Sequence, residues 1–280
     1  VVTDAFERWA EVAGSVSVSQ RDKDINKGRA RVINFLETLT RNLEKSYGQK
    51  MNEYALKPTG TNYAAGNGGK DPVPLSVICS LAANTCHEIA ESTYSWWAPQ
   101  RKLSTTTDDT ATTSTVFKNE IRNFYNTCSR NNEGSPNLIL TGQETAETIE
   151  ASMEAQVRYQ QTELASLGLG GNVRINRADV VWDQIVPGTA ANPGDAPANS
   201  AFLDHDDSNL DEEIAFFLNT DYLKWVAHQD RDMVMTPFVD AHVNGQTASS
   251  ALMLCMGNLM CTNRRTQGIL YGLDVSAVTY

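Results

Sequence analysis

No run of eighteen apolar residues occurs in this chain of 280 residues, so no helix in it is long and apolar enough to cross a bilayer, and no membrane partner is expected. Cysteine is scarce and odd in number: Cys79, Cys86, Cys128, Cys255 and Cys261. No C-x-x-C pair is present, which fits a reducing compartment with cysteines used as small core residues. Basic residues are in deficit, with 23 Lys and Arg against 34 Asp and Glu and a formal net charge of −11. Such a chain is a poor direct binder of nucleic acid, where neutralising phosphates dominates affinity. The amino end, "VVTDAFERWAEVAG", lacks a basic segment followed by an apolar one, so it is not a signal peptide. It also lacks an initiator Met, and we expect the chain to start downstream of a translation start.

Catalytic patterns are equally sparse. "SLGLGGNVRIN" at 166–176 has glycines but no following Lys-Ser/Thr pair, so it is no phosphate loop. "DHDDSNLDEE" at 204–213 starts like a calcium loop at Asp204, Asp206 and Ser208, then offers Asn209 and Ala215 where Gly and Glu are needed. Cys79, Cys86 and His87 fall short of four zinc ligands, and adjacent Cys86 and His87 do not aim together as a dyad. His228, beside Gln229, Asp230, Arg231 and Asp232, is a conceivable general base. We assign no catalytic residue, cofactor or metal.

What is present is reach. Val16 and Val18 alternate with serines, predicting a strand over the end of residues 1–19. This piece carries little apolar mass, so we expect a partner from upstream chain or from another subunit. Ser19 and Asp22 predict a helix start. Ile25, Val32, Leu36, Leu39, Leu43, Tyr47, Met51 and Tyr54 then form one helical stripe, giving a strut over about 22–56, or two helices with a bend. Residues 57–76 are rich in Gly and Pro and are expected to be a loop, and "LSVICSLAA" is a short strand or helix.

A second helix is predicted over 115–130, with Val116, Phe117, Ile121, Phe124, Tyr125 and Cys128 on one face. "NLILT" is a strand. Thr141 and Glu144 predict a capping box for a third helix, lined by Ala146, Ile149, Met153 and Val157. "ADVVWDQIV", "EIAFFLNT" and "DYLKWVAH" are strand candidates. The end, "SSALMLCMGNLMCTNRRTQGILYGLDV", predicts one or two strands with bulges or bends at Gly257 and Gly268. The class is α+β.

In this order, several stretches resemble the major capsid proteins of tailed bacteriophages, the family with the HK97-type fold. They are "WAEVAGSVSVSQRDKDINKGRARVINFLETLTRNLEKSYGQKMNEYAL", "IAESTYSWWAPQR", "IRNFYNTCSRNNEGSPNLILTGQETAETIEASMEAQVRY", "ADVVWDQIVPG", "EIAFFLNTDYLKWVAHQDRDMVMTPF" and "MGNLMCTNRRTQGILYGL". The resemblance implies that residues 1–19 are the returning strand of an extended loop. It implies a peripheral domain over 20–114 with a spine helix over about 20–56. A mostly axial domain follows over 115–250, and a closing strand over 251–280 returns toward the peripheral domain.

The implied function is a self-assembling shell subunit, forming pentamers and hexamers of an icosahedral head around double-stranded DNA. The location would be the virion capsid, assembled in the host cytoplasm. The resemblance also implies many copies of itself as partner, with a scaffolding protein, a maturation protease, a portal and a cement or decoration protein. Lys is absent from residues 1–22, so cross-linking through a loop lysine is not expected. An acidic inner wall would let packed DNA slide.

Residues expected at assembly contacts are Phe6, Trp9, Val16, Val18, Trp96, Trp97, Arg264 and Arg265. Trp96 and Trp97 are expected to anchor the segment between spine and axial regions, and the two arginines to make intersubunit ion pairs. Alternatives are a soluble α+β hydrolase using His228 and nearby carboxylates, or a non-viral compartment shell of the encapsulin kind.

Overall fold

A computed structural model describes residues 4–19, 21–22, 35–56, 71–104, 112–130, 134–157, 173–188, 202, 213–240, 248–273 and 278–279. The expected glycine loop at 166–171 and most of the acidic run at 204–213 lie outside them, as do residues 23–34 of the strut.

The first sheet is built on the longest strand. β1 (Ala10–Ser19) pairs antiparallel along its whole length with Ala248–Cys261, a strand we number β13 in chain order. The opposite edge of β13 is covered by three short pieces, β10 (Leu223–Ala227), β11 (Val234–Met235) and β12 (Val239–Asp240). The strut helix, Phe35–Leu56, lies on one face of this sheet. Tyr47 packs with Met253 and Cys255, while Val12, Leu43 and Met51 close the cluster. Tyr47 Oη also donates to the Val12 carbonyl at 3.3 Å. Strand periodicity explains why Val12, Val16 and Val18 turn toward the helix while Glu11, Ser15 and Ser17 turn away.

This corrects one expectation. The strand at 10–19 does not wait for upstream chain or another subunit; its own β13, more than 200 residues later, covers one edge. Its other edge has no strand partner among the described residues. The predicted helix start is observed: Ser19 Oγ accepts from the Asp22 backbone N–H at 3.1 Å.

The second sheet is mixed, with order β4-β14-β9-β6-β8-β7. Its strands are β4 (Gln100–Leu103), β6 (Leu138–Thr141), β7 (Arg174–Ile175), β8 (Ala178–Trp182), β9 (Glu213–Leu218) and β14 (Gly268–Leu273). Helices cover one face. Phe117, Ile121, Phe124, Tyr125 and Cys128 of helix Ser114–Cys128 meet Ile139, Ala215, Phe217 and Leu270, with Ile149 of helix Gln143–Val157. The other face is covered by the short helix Leu75–Ile78 and its flanks, packed on Ile214, Phe216, Leu218, Ile269 and Tyr271. Leu56, at the end of the strut, joins that second core. Covered on both faces, β9 needs apolar side chains at every position, which is why "IAFFL" does not alternate. Two small ladders complete the described structure: β2 (Thr85–Cys86) with β3 (Ile89–Ala90), and β5 (Thr112–Thr113) with β15 (Val278–Thr279).

Residues 223–240 pair in the five-stranded sheet. Gly268–Leu273 sits between β4 and β9 in the six-stranded sheet. Val116 turns outward rather than onto the helix's buried face. Gly257 and Gly268 mark close packing, not bulges: a Cβ would strike the Trp225 ring at one and Cys128 Sγ at the other. The ladder irregularity lies between Leu270 and Leu273, where Gly272 takes a φ of 70°.

The capping box also fails. Thr141 Oγ1 donates instead to the Ile214 carbonyl at 2.9 Å. The cap comes from 68 residues away, as the Thr145 N–H donates to Glu213 Oε2 at 2.7 Å. A Cβ at Gly142 would meet the Glu213 carboxylate, so any side chain there would push that carboxylate from its place at the helix end. Burial raises the Glu213 carboxyl above its ordinary 4.5, against the opposing pull of the Thr145 bonds. The folded state therefore binds that proton more tightly than the unfolded chain does. The resulting stabilisation is complete below the ordinary value and is lost as pH rises through the folded one. Wild type should lose stability relative to Glu213→Gln as pH climbs above about 4.5, measured by denaturant unfolding from about pH 4 to about pH 8. Parallel profiles across that range would reject this assignment.

Candidate assembly interface

The chain passes between its two sheets at Asn219–Tyr222 and again at Asn263–Gln267, through a 3₁₀ turn each time. The two passages are stitched together. Gln267 Oε1 accepts from the Asn219 N–H at 2.9 Å, and its Nε2 donates to the Asn219 carbonyl at 3.1 Å. A side-chain amide thus replaces the ladder that neither passage can make.

Arg264 anchors the second passage. Its side chain is 0% exposed. Nε donates to the Ile78 carbonyl at 2.6 Å, and Nη2 reaches the Val77 carbonyl, Ser80 Oγ and Asn84 Oδ1 at 2.9, 2.9 and 2.6 Å. Nη1 has no hydrogen-bond partner, and Glu91 Oε2 stands 3.6 Å from it. Glu91 is in turn gripped by both Nη atoms of Arg101, each at 2.6 Å. Arg101 Nε also donates to the Ser80 carbonyl. Burial acts against the Glu91 charge, but the Arg101 bonds and the Arg264 charge outweigh it and hold the carboxyl below 4.5. Burial likewise lowers the Arg264 guanidinium from its ordinary value.

Arg264 was expected at an intersubunit contact, and the structure corrects this. The residue is enclosed by its own chain, with Nε and Nη2 committed to the 77–84 loop. Arg265 follows the opposite course. The turn directs it outward, and its side chain is exposed. Its backbone is pinned by Asn263 Oδ1, which accepts from the Arg265 N–H at 3.2 Å.

The adjacent tryptophans divide in the same way. Trp97 is 3% exposed, and its Nε1 donates to the Cys86 carbonyl at 3.2 Å. Trp96 is 48% exposed and meets Trp97 edge-on, centroids 5.7 Å apart. Their 3₁₀ turn, Ser95–Trp97, lies against the Arg264–Thr266 turn. Val16 and Val18 are buried within the subunit, while Phe6 and Trp9 remain largely exposed.

Sequence reasoning missed what His87 does. The β2–β3 turn puts His87 and Glu88 at φ 52° and 61°, the left-handed region that a two-residue hairpin turn demands. This drives the imidazole into the interior, where it is fully buried. Nε2 accepts from the Cys261 N–H at 3.1 Å, while Nδ1 faces Glu7 Oε2 at 3.1 Å. The backbone donor at Nε2 puts the ring proton on Nδ1, toward the carboxylate. The Phe6 N–H donates to the His87 carbonyl at 3.1 Å. His87 therefore ties the segment before β1 to the end of β13. Only the non-glycine turn "HE" hinted at this, and adjacency to Cys86 drew attention toward metal and dyad chemistry.

His228 is committed elsewhere. Its Nδ1 accepts from the Asp230 N–H at 3.2 Å, and its ring meets Trp9 edge-on at 5.6 Å. A cavity of about 330 Å³ lies at the start of helix Gln143–Val157, lined in part by Glu144, Glu147, Gln184 and Glu213. A second, of about 260 Å³, is lined by Gln100, Thr127, Cys128, Arg130 and Arg265. No group of three or more His, Cys, Asp or Glu able to hold a metal occurs among the described residues. The five cysteines are free and buried, as small core residues are.

No protein-family model matches the chain, and no curated protein does. Solved structures do. A chain of the cyanophage A-1(L) capsid asymmetric unit has a TM-score of 0.60 at 11% identity, over 95% of this chain and 77% of that one. The SrpI encapsulin of Synechococcus elongatus PCC 7942 gives 0.53 at 9% identity, over 97% and 76%. The capsid of an empty GTA particle gives 0.52 at 11%, over 95% and 74%. At such identities the likeness is one of architecture, and by its architecture the chain has the HK97-type fold of capsid shell proteins.

Proposed function

We propose that this chain is a major capsid protein that assembles as pentamers and hexamers into an icosahedral head around double-stranded DNA. The carrying observation is the likeness to a chain of a cyanophage capsid asymmetric unit over 95% of this chain. In this reading the five-stranded sheet and strut form the peripheral domain and the six-stranded sheet the axial domain. Phe6, Trp9 and Trp96, exposed as large aromatics, and Arg265 lie at contacts between copies. The fold's work is then mechanical, not catalytic. The net charge of −11 supports enclosing DNA without gripping it. A scaffolding protein, a maturation protease, a portal and a cement protein complete the set of partners, and the virion capsid is the location.

The likeness to SrpI favours a second reading, a non-viral compartment shell. One experiment separates them. The full-length protein is purified and examined by native mass measurement and negative-stain microscopy, and particles from the native source are tested for nuclease-protected DNA. Closed shells holding double-stranded DNA support the head. Shells holding protein cargo instead support the compartment. A small oligomer at every concentration overturns both.

A further inference from the structure

We infer that the pocket between Arg130 and Arg265 receives an acidic segment of a second copy of this chain. The inference rests on the shell reading and adds the site and the chemistry of one contact. Arg130 lies just beyond helix Ser114–Cys128, and Arg265 on the turn between β13 and β14. Both line the cavity of about 260 Å³, and neither forms an ion pair with a described residue. The neutral groups beside them are occupied: Thr127 Oγ1 donates to the Asn123 carbonyl at 2.9 Å, and Gln100 Nε2 donates to the Arg265 carbonyl at 3.4 Å. Two guanidiniums are left to set the chemistry, and their planar forks suit carboxylates.

The pocket is also held in advance. Buried Arg264 fixes the turn, the Gln267 N–H donates to the Arg264 carbonyl at 3.1 Å, and Gln100 N–H donates to the Gln267 carbonyl at 2.9 Å. A turn held beforehand leaves less backbone to order on binding. Half-exposed Trp96 stands on the neighbouring turn, and Trp with Arg is the composition of interface hot spots. Charge complementarity names the partner. With 34 acidic residues against 23 basic ones, another copy presents a surface rich in carboxylates.

The test is the charge-reversed pair Arg130→Glu with Arg265→Glu in the full-length protein, with Arg265→Lys as the conservative variant. Thermal unfolding checks that the subunit stays folded. Self-association is followed by sedimentation at about 0.15 M salt. Association should weaken at least about tenfold in the reversed pair and less in Arg265→Lys. Wild-type association in the reversed pair overturns the inference. So does inorganic phosphate binding that the variant abolishes while association is unchanged, since the pocket then serves a free anion. If the wild type forms only small oligomers, weakened equally by the reversal, the pocket stands and the shell reading falls. If the wild type stays monomeric, both fall.

Discussion

Arg264→Ala should destabilise the subunit by about 3–5 kcal/mol, the usual consequence of removing one partner from a buried ionic network. Three mechanisms add. The Ile78 carbonyl loses its donor in a dry interior, the Val77 carbonyl, Ser80 Oγ and Asn84 Oδ1 each lose one bond, and the Glu91–Arg101 pair loses a neighbouring charge. A hydrophobic substitute such as Arg264→Met should recover little, because the Ile78 carbonyl stays without a donor. Arg264→Lys keeps the charge but has no fork to serve Nε and Nη2 acceptors at once, so it should fall between. Equilibrium urea unfolding of the variants checks this. An Arg264→Ala protein within about 1 kcal/mol of wild type would mean that the hub is dispensable. The damage should concentrate at the passage from β13 to β14, where hydrogen exchange should rise first.

Trp97→Ala carries the second large effect, a loss of about 3–5 kcal/mol from an enclosed indole and its bond to the Cys86 carbonyl. Trp96→Ala should shift stability by less than about 1 kcal/mol, because half of its ring already faces solvent. Under the shell reading the order reverses for assembly: Trp96→Ala should lower particle yield while leaving the subunit folded. Chemical denaturation and particle yield measured on both variants decide it. Equal stability losses would dissolve the division of labour, and full yield from Trp96→Ala would remove that residue from the interface.

The pair shows where reading residues in order stops. "SWW" announces two large rings and says nothing of which is buried. That depends on His87, ten residues earlier, being driven inward by its turn, and on the carbonyl of Cys86 being placed to accept. "NRR" likewise announces two charges. One lies in the interior because the 77–84 loop presents four acceptors to it, and the other faces solvent.

Periodicity was legible wherever one face of an element is buried. The strut from Phe35, the helix from Ser114 and the strands at 138–141, 178–182 and 213–218 all appear where their patterns place them. Partnership was not legible. β1 looked unfinished because its cover, β13, lies at the far end of the chain, and backbone pairing leaves no mark on side-chain order. The capping box at Thr141 was locally sound, yet a distant carboxylate took the helix end and Thr141 turned to Ile214.

The chain's order of residues alone settled its class, its acidic balance, most of its elements and the poverty of its catalytic chemistry, since each follows from composition or from contacts within a few residues. Tertiary structure alone decided which strands share a sheet, which of two neighbouring arginines and tryptophans is enclosed, and which histidine ties the segment before β1 to β13. The histidine and arginine outcomes depend on groups more than 70 residues apart meeting in a low-dielectric interior, where a hydrogen bond made or missed outweighs local preference.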